Sequence, residues 1–127
     1  KSMFELGVMY ETGVKVHKNY LQAKRWYQRA SSLNHAPSIT KIGKMYAQGL
    51  DFRRDYRMAI KWFERAAELN EPQAMSSLGY MYATGLGVPE DFATAMEWYE
   101  KAAAAGDEEA KRYVDYIRSG RAAVGER

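Results

Sequence analysis

Residues 84–91 read TGLGVPED, which sets Gly85 and Gly87 one residue apart ahead of a segment of helical character. Paired glycines before a helix are what a phosphate-cradling loop uses, because backbone N–H groups then approach an anion with no Cβ in the way. Such a loop also needs a strand before it and a glycine-rich continuation behind it. This stretch has neither, and Lys15 and Asp51 stand at the places equivalent to Gly87. It reads as a connection between helices. The other chemistry-bearing residues are sparse. His17 and His35 are the only histidines, cysteine is absent, and no cluster of ligands has metal-site spacing. The carboxylate pairs Glu64/Glu68 and Glu108/Glu109 lie on polar helix faces or helix starts. Acid–base catalysis needs one member of such a pair desolvated to separate the two pKa values. The sequence therefore assigns no catalytic residue, no metal ligand and no cofactor, and the chain is read as a protein that is not an enzyme.

The stretches KVHKNYLQAKR (15–25) and RRDYRMAIK (53–61) mix basic residues with tyrosine, as binders of single-stranded nucleic acid do. RNA or single-stranded nucleic-acid binding through these regions is the alternative function. Against it, Tyr20 and Tyr56 keep register with Phe92, as core positions do, and charge is unevenly spread. The first 36 residues hold six Lys/Arg against two acids, whereas residues 73–108 hold one against six. The net charge is +3 over 127 residues, 46% of them hydrophobic, which suits one domain with a core. No apolar run approaches the roughly 18 residues of a membrane span, so no membrane insertion is expected. The chain opens on Lys1 without an initiator Met or a signal-peptide pattern and reads as a fragment or a processed form.

What must position these residues is a repeat. Gly7, Gly43 and Gly79 are 36 residues apart, as are Tyr10, Tyr46 and Tyr82. The same step links Gly13, Gly49 and Gly85, then Ala23, Ala59 and Ala95, then Trp26, Trp62 and Trp98. Each copy splits into two helical segments at about 100° per residue. The first lies near 1–12, 36–48 and 72–84, and the second near 20–33, 56–69 and 92–105. Asn19, Asp55 and Asp91 precede the second helices, where a side-chain oxygen accepts from free backbone N–H groups. Asn34, Asn70 and Gly106 end those helices, as expected where the chain turns left-handed. Pro37 and Pro72 suit the opening of the next helix. Glycine inside a helix costs about 1 kcal/mol relative to alanine, so Gly7, Gly43 and Gly79 imply helices that must approach closely. On the second helices Arg25, Gln28 and Arg29 point away from the shared face, and Glu97 and Lys101 form a surface pair four residues apart.

The string LGYMYATGLGVPEDFATAMEWYEKAAAAG (78–106), with LGVMYETG and AKRWYQRA in the first copy and IGKMYAQG and AIKWFERAA in the second, resembles the Sel1-like repeat family, relatives of tetratricopeptide repeats. The second loop, LDFRRD, departs from the usual Gly-Val form. The resemblance implies an all-α fold, a right-handed α-solenoid of antiparallel helix pairs with a concave face. The domain plan is three repeats at about 1–35, 36–71 and 72–107, a polar capping helix at about 108–119 and a frayed tail at 120–127. It implies a non-enzymatic scaffold or adaptor for protein–protein interaction. Members act in eukaryotic membrane-associated degradation and in bacterial signalling or envelope processes. A cysteine-rich bacterial subgroup uses disulfides, and this chain, without cysteine, falls outside it.

Positions constant across the copies serve the fold, which leaves the varying, open positions of the first helices for a ligand. By the same resemblance these helices line the groove. The expected partner-binding residues are Thr40, Lys41, Lys44 and Gln48 in the second copy and Ser76, Tyr80 and Thr84 in the third. Arg112, Tyr113 and Tyr116 complete the set on the last helix. Lys41 and Lys44 beside Tyr80 and Tyr116 suggest a protein or peptide ligand carrying an acidic residue. Lys1, Phe4 and Val8 occupy the open arc of the first copy. Met3, Phe4, Val8 and Met9 belong to a helix with no preceding partner, which leaves two expectations: further repeats upstream, or self-association through that edge.

Overall fold

Glycine sets the end of each first helix. Gly13, Gly49 and Gly85 have φ of +77°, +69° and +72°, and each N–H donates to the carbonyl four residues back, on Met9, Met45 and Met81. The computed structural model describes residues 2–49 and 53–125, with side chains through residue 119. Lys1, Asp51 and residues 126–127 of the tail lie outside the described residues. Among the described residues every regular element is a helix: α1 (Met3–Thr12), α2 (Tyr20–Ser31), α3 (Ala36–Gln48), α4 (Tyr56–Glu68), α5 (Pro72–Thr84), α6 (Phe92–Ala104) and α7 (Glu108–Gly125).

The second helices begin as the spacing predicts. Side-chain oxygens of Asn19, Asp55 and Asp91 accept from the backbone N–H of Gln22, Met58 and Thr94, each at 3.1 Å. The N–H of the same three cap residues donates to the carbonyls of Tyr10, Tyr46 and Tyr82, each at 2.9 Å. One residue thus caps the second helix and ties the loop back to the first. At the far end Asn34, Asn70 and Gly106 take φ of +59°, +62° and +106°. The following N–H groups of His35, Glu71 and Asp107 return to the carbonyls of Ala30, Ala66 and Ala102. This is the six-to-one closure that satisfies a helix C-terminus.

Each helix packs chiefly on its sequence neighbours, α1 on α2, α2 on α3 and so on to α6 on α7, as a solenoid requires. The helix glycines make room for the aromatic after each Trp. A Cβ built on Gly7, Gly43 or Gly79 would come within 3.0 Å of the rings of Tyr27, Phe63 and Tyr99 respectively. Ala23, Ala59 and Ala95 are fully buried beside them, and Ala30, Ala66 and Ala102 nearly so. The three Trp rings are only half-buried and are covered by a cation three residues on: Arg29 over Trp26, Arg65 over Trp62 and Lys101 over Trp98, at 4.9, 5.5 and 4.7 Å from the ring centres. Arg29 is exposed, as its outward position predicts, and also lies over the Trp26 ring, whereas Lys101, expected to pair with Glu97, lies over Trp98.

Ties across the repeats fix the stacking. The Arg65 guanidinium donates to the Ser31 carbonyl at 2.8 Å, Lys41 pairs with Glu11 at 3.6 Å, and the Ser76 hydroxyl bonds Asp107 at 3.0 Å. In the third loop Leu86 and Val88 pack on the larger core cluster. Gly87, at φ +79°, lies so close to Tyr56 that an added Cβ would sit 2.8 Å from the Tyr56 Cβ. The loop does more than join two helices: it docks on α4. Phe4 and Val8, expected on an uncovered edge, are half-buried against the cluster of Ala23, Tyr27, Ile42 and Met45, and only Met3 of that group is exposed. The last helix runs to Gly125, beyond the expected end near residue 119 and through most of the expected frayed tail. A single glycine at 120 costs about 1 kcal/mol in a helix, and the Arg-Ala-Ala that follows favours one.

Candidate partner-binding groove

The first helices α3 and α5 and the first two turns of α7 flank an open groove of about 1140 Å³. Its floor is apolar, built from the core-facing Phe63, Met81, Leu86 and Tyr99. Lys44 and Gln48 enter from α3, Gln73, Ser76 and Tyr80 from α5, and Tyr113 from α7. Tyr80 is 55% exposed and the Tyr113 ring stacks on Tyr99 at 4.5 Å, tilted by 39°. Burial, helped by Tyr113 and Tyr80, pushes the Tyr99 hydroxyl up to about 12. Tyr99 is therefore a neutral floor at physiological pH.

Lys44, Gln48, Ser76, Tyr80 and Tyr113, expected to bind a partner, come together here. The other expected residues do not. Thr40 is 1% exposed, with its hydroxyl donating to the Ala36 carbonyl at 3.2 Å, so it cannot offer a free surface. The reason is visible at the equivalent positions. Phe4 packs on His35 with ring centres 5.1 Å apart and Ser76 bonds Asp107, so this register faces the start of the next first helix. Lys41 is engaged with Glu11. The Thr84 hydroxyl bonds the Tyr80 carbonyl at 2.7 Å, outside the groove wall, and Arg112 and Tyr116 are exposed on α7 beyond it.

The residues that sequence reasoning missed are acidic. Glu71, Asp107, Glu108 and Glu109 line the groove at the starts of α5 and α7. The signal was present in the register: His35, Glu71 and Asp107 are 36 residues apart, and stacking brings such helix starts to one end of the trough. Asp107 accepts from the Ala110 N–H at 3.1 Å and from Ser76. Glu71 makes no side-chain cap bond. Burial pushes its carboxyl above the usual range, while Lys44 and His35 act the other way. Lys44 donates to Gln73 Oε1 at 3.3 Å. Burial and then Lys41 push its ammonium below the usual range, against the pull of Glu11, Glu71 and Asp107. The expected seat for an acidic residue thus has both lysines engaged and four carboxylates nearby. Among the described residues no three His, Cys, Asp or Glu converge as a metal site would demand.

The basic stretches 15–25 and 53–61 place Lys18 over Tyr20 and Arg54 over Tyr56, at 5.2 and 5.0 Å from the ring centres. Those rings already carry a cation from their own chain.

Comparison with known proteins follows the same lines. The Sel1 repeat profile matches residues 1–35, 36–71 and 72–107. A Sel1 repeat protein from Oxalobacter formigenes superposes with a TM-score of 0.83 at 38% identity, covering 88% of this chain and 46% of that one. A protective antigen of uropathogenic Escherichia coli with an SLR fold gives 0.84 at 33% identity, covering 92% and 25%. Cysteine-rich protein B of Helicobacter pylori gives 0.73 at 26% identity, covering 87% and 85%, although this chain has no cysteine. The chain thus spans less than half the length of the first two structures. No curated protein matches.

Proposed function

The chain belongs to the Sel1 repeat family, whose members generally mediate protein–protein interactions, and from that premise we propose that it is a non-enzymatic module holding a protein or peptide segment in the groove of α3, α5 and α7. The observation that carries this reading is the division of labour within the repeat. Glycine, alanine and the buried aromatics recur at the same step and are used up in the core, whereas the groove positions Lys44 and Tyr80 differ between copies and face the open space. A trough with an apolar floor and a polar rim suits an extended or helical segment. No helix among the described residues is long and apolar enough to cross a membrane.

The test is affinity capture with the chain and its Tyr80→Ala variant, the partner then being titrated as a purified protein. Tyr80 is exposed, so the variant keeps its fold. Loss of an exposed aromatic anchor lowers affinity by about tenfold if it acts as a hot spot. Equal affinity for both proteins contradicts the groove as the binding site.

A further inference from the structure

Among the described residues, negative charge outnumbers positive around the groove. A single ammonium, Lys44, lies among its lining residues, against the carboxylates of Glu71, Asp107, Glu108 and Glu109. Lys44 is already bonded to Gln73, and Lys41 outside the wall is paired with Glu11. The chain as a whole is basic, at +3, so this acidic trough is a local feature and not a reflection of composition. Capping accounts for only part of it. The Asp107 side chain caps α7, but the Glu71 side chain makes no cap bond to α5. Tyr80 and Tyr113 stand at the same place, offering ring faces that attract a cation as readily as they pack an aliphatic stem.

Resting on the groove-binding function above, we infer that the occupant of the groove is a peptide segment with lysine or arginine facing the starts of α5 and α7 and an apolar or aromatic residue on the Tyr99 floor. The apolar residue supplies burial, and the basic ones supply register and partner choice through opposite charge. An acidic segment meets four carboxylates and one engaged ammonium, so it is rejected. Arginine fits best, because its planar guanidinium both forks onto a carboxylate and stacks on tyrosine.

The experiment is panning of a phage-displayed random dodecapeptide library against the immobilised chain, with selected peptides then synthesised and titrated by fluorescence polarisation. Three proteins are compared with the parent: Tyr80→Ala, the double variant Glu108→Gln/Glu109→Gln, and Lys44→Gln. Circular dichroism melts check that each is folded. The inference predicts selected sequences rich in Lys and Arg. It also predicts affinity falling about 3- to 10-fold in the double variant, rising about 2-fold in Lys44→Gln, and weakening as salt is raised. Lys44→Gln reads the charge from α3, so the result does not depend on α7 tolerating its two changes. Selected peptides that are acidic or neutral, or that bind the two charge variants like the parent, overturn the inference. If those peptides still lose affinity to Tyr80→Ala, the groove stands and only its charge preference falls. If Tyr80→Ala leaves them unaffected, or nothing is enriched, the groove reading and this inference fail together.

Discussion

At Gly43 the ring of Phe63 occupies the space a side chain would take, with two ring carbons 2.7 Å from where a Cβ would stand. Phe63 is 2% exposed, so a shift of its ring disturbs the buried core around it. Two effects oppose each other in Gly43→Ala. Helix propensity favours alanine by about 1 kcal/mol, whereas overpacking a buried ring costs about 1–3 kcal/mol. Overpacking wins, and the melting temperature falls. At Gly79 the nearest Tyr99 atoms are 3.0 Å away and Tyr99 is only half-buried, so the ring yields more easily. Thermal melts of Gly43→Ala and Gly79→Ala should show the first as the more damaging; the reverse order contradicts this packing. The glycine register was legible in the sequence because one physical demand recurs at one step. The position of the Trp rings under Arg29, Arg65 and Lys101 was not, since a cation three residues from an aromatic also reads as a solvated charge.

At the scale of elements, each second helix depends on one cap. Asp55→Ala removes the acceptor for the Met58 N–H and should cost about 1 kcal/mol, measured by urea denaturation. Asp55→Asn, which keeps an oxygen at that place, should recover most of it. Asp91 adds a pH signature. Hydrogen bonds from the Thr94 hydroxyl and then its N–H hold the Asp91 carboxyl below the usual range. A folded-state pKa below the unfolded value means stability present above the unfolded value and lost as pH falls through the folded one. Acid unfolding of the parent and of Asp91→Asn should therefore differ in the acid range, the advantage of the parent fading as pH drops below the ordinary aspartate value. Parallel curves throughout contradict it. The caps were legible because Asn or Asp before an amphipathic run has one common use. Gly87 was legible only as a turn. Its contact with Tyr56 of the preceding repeat is set by stacking and leaves no local mark.

Over the whole molecule the helices form a chain of nearest-neighbour contacts, so stability is expected to peak in the middle repeat and decline toward both ends. Hydrogen exchange should show the slowest amides in α3, α4 and α5 and faster ones in α1 and α7. Removing the tie between Arg65 and Ser31 by Arg65→Met should speed exchange in α2 and α3 beyond the change in α4 itself, while an effect confined to α4 contradicts inter-repeat coupling. This scale also explains what the sequence hid about the groove. The open positions of single helices were legible from periodicity, and Lys44, Gln48, Ser76, Tyr80 and Tyr113 line the trough. Glu108 and Glu109 read only as a helix start, and nothing local shows that stacking brings them into one trough with Glu71 and Asp107. Thr40 was misplaced for the same reason. Its register faces the start of the next first helix, as Phe4 on His35 and Ser76 on Asp107 show.

A partner held in this groove lies along α3, α5 and the first two turns of α7. Amide chemical-shift mapping of the isotopically labelled chain, titrated with a dodecapeptide from the selection, tests it most directly. Shifts are expected to concentrate at Lys44, Gln48, Gln73, Tyr80, Glu109 and Tyr113, with the outward residues Arg25, Lys61 and Glu97 of α2, α4 and α6 unmoved. Shifts concentrated on those outward faces, with the groove silent, would contradict it.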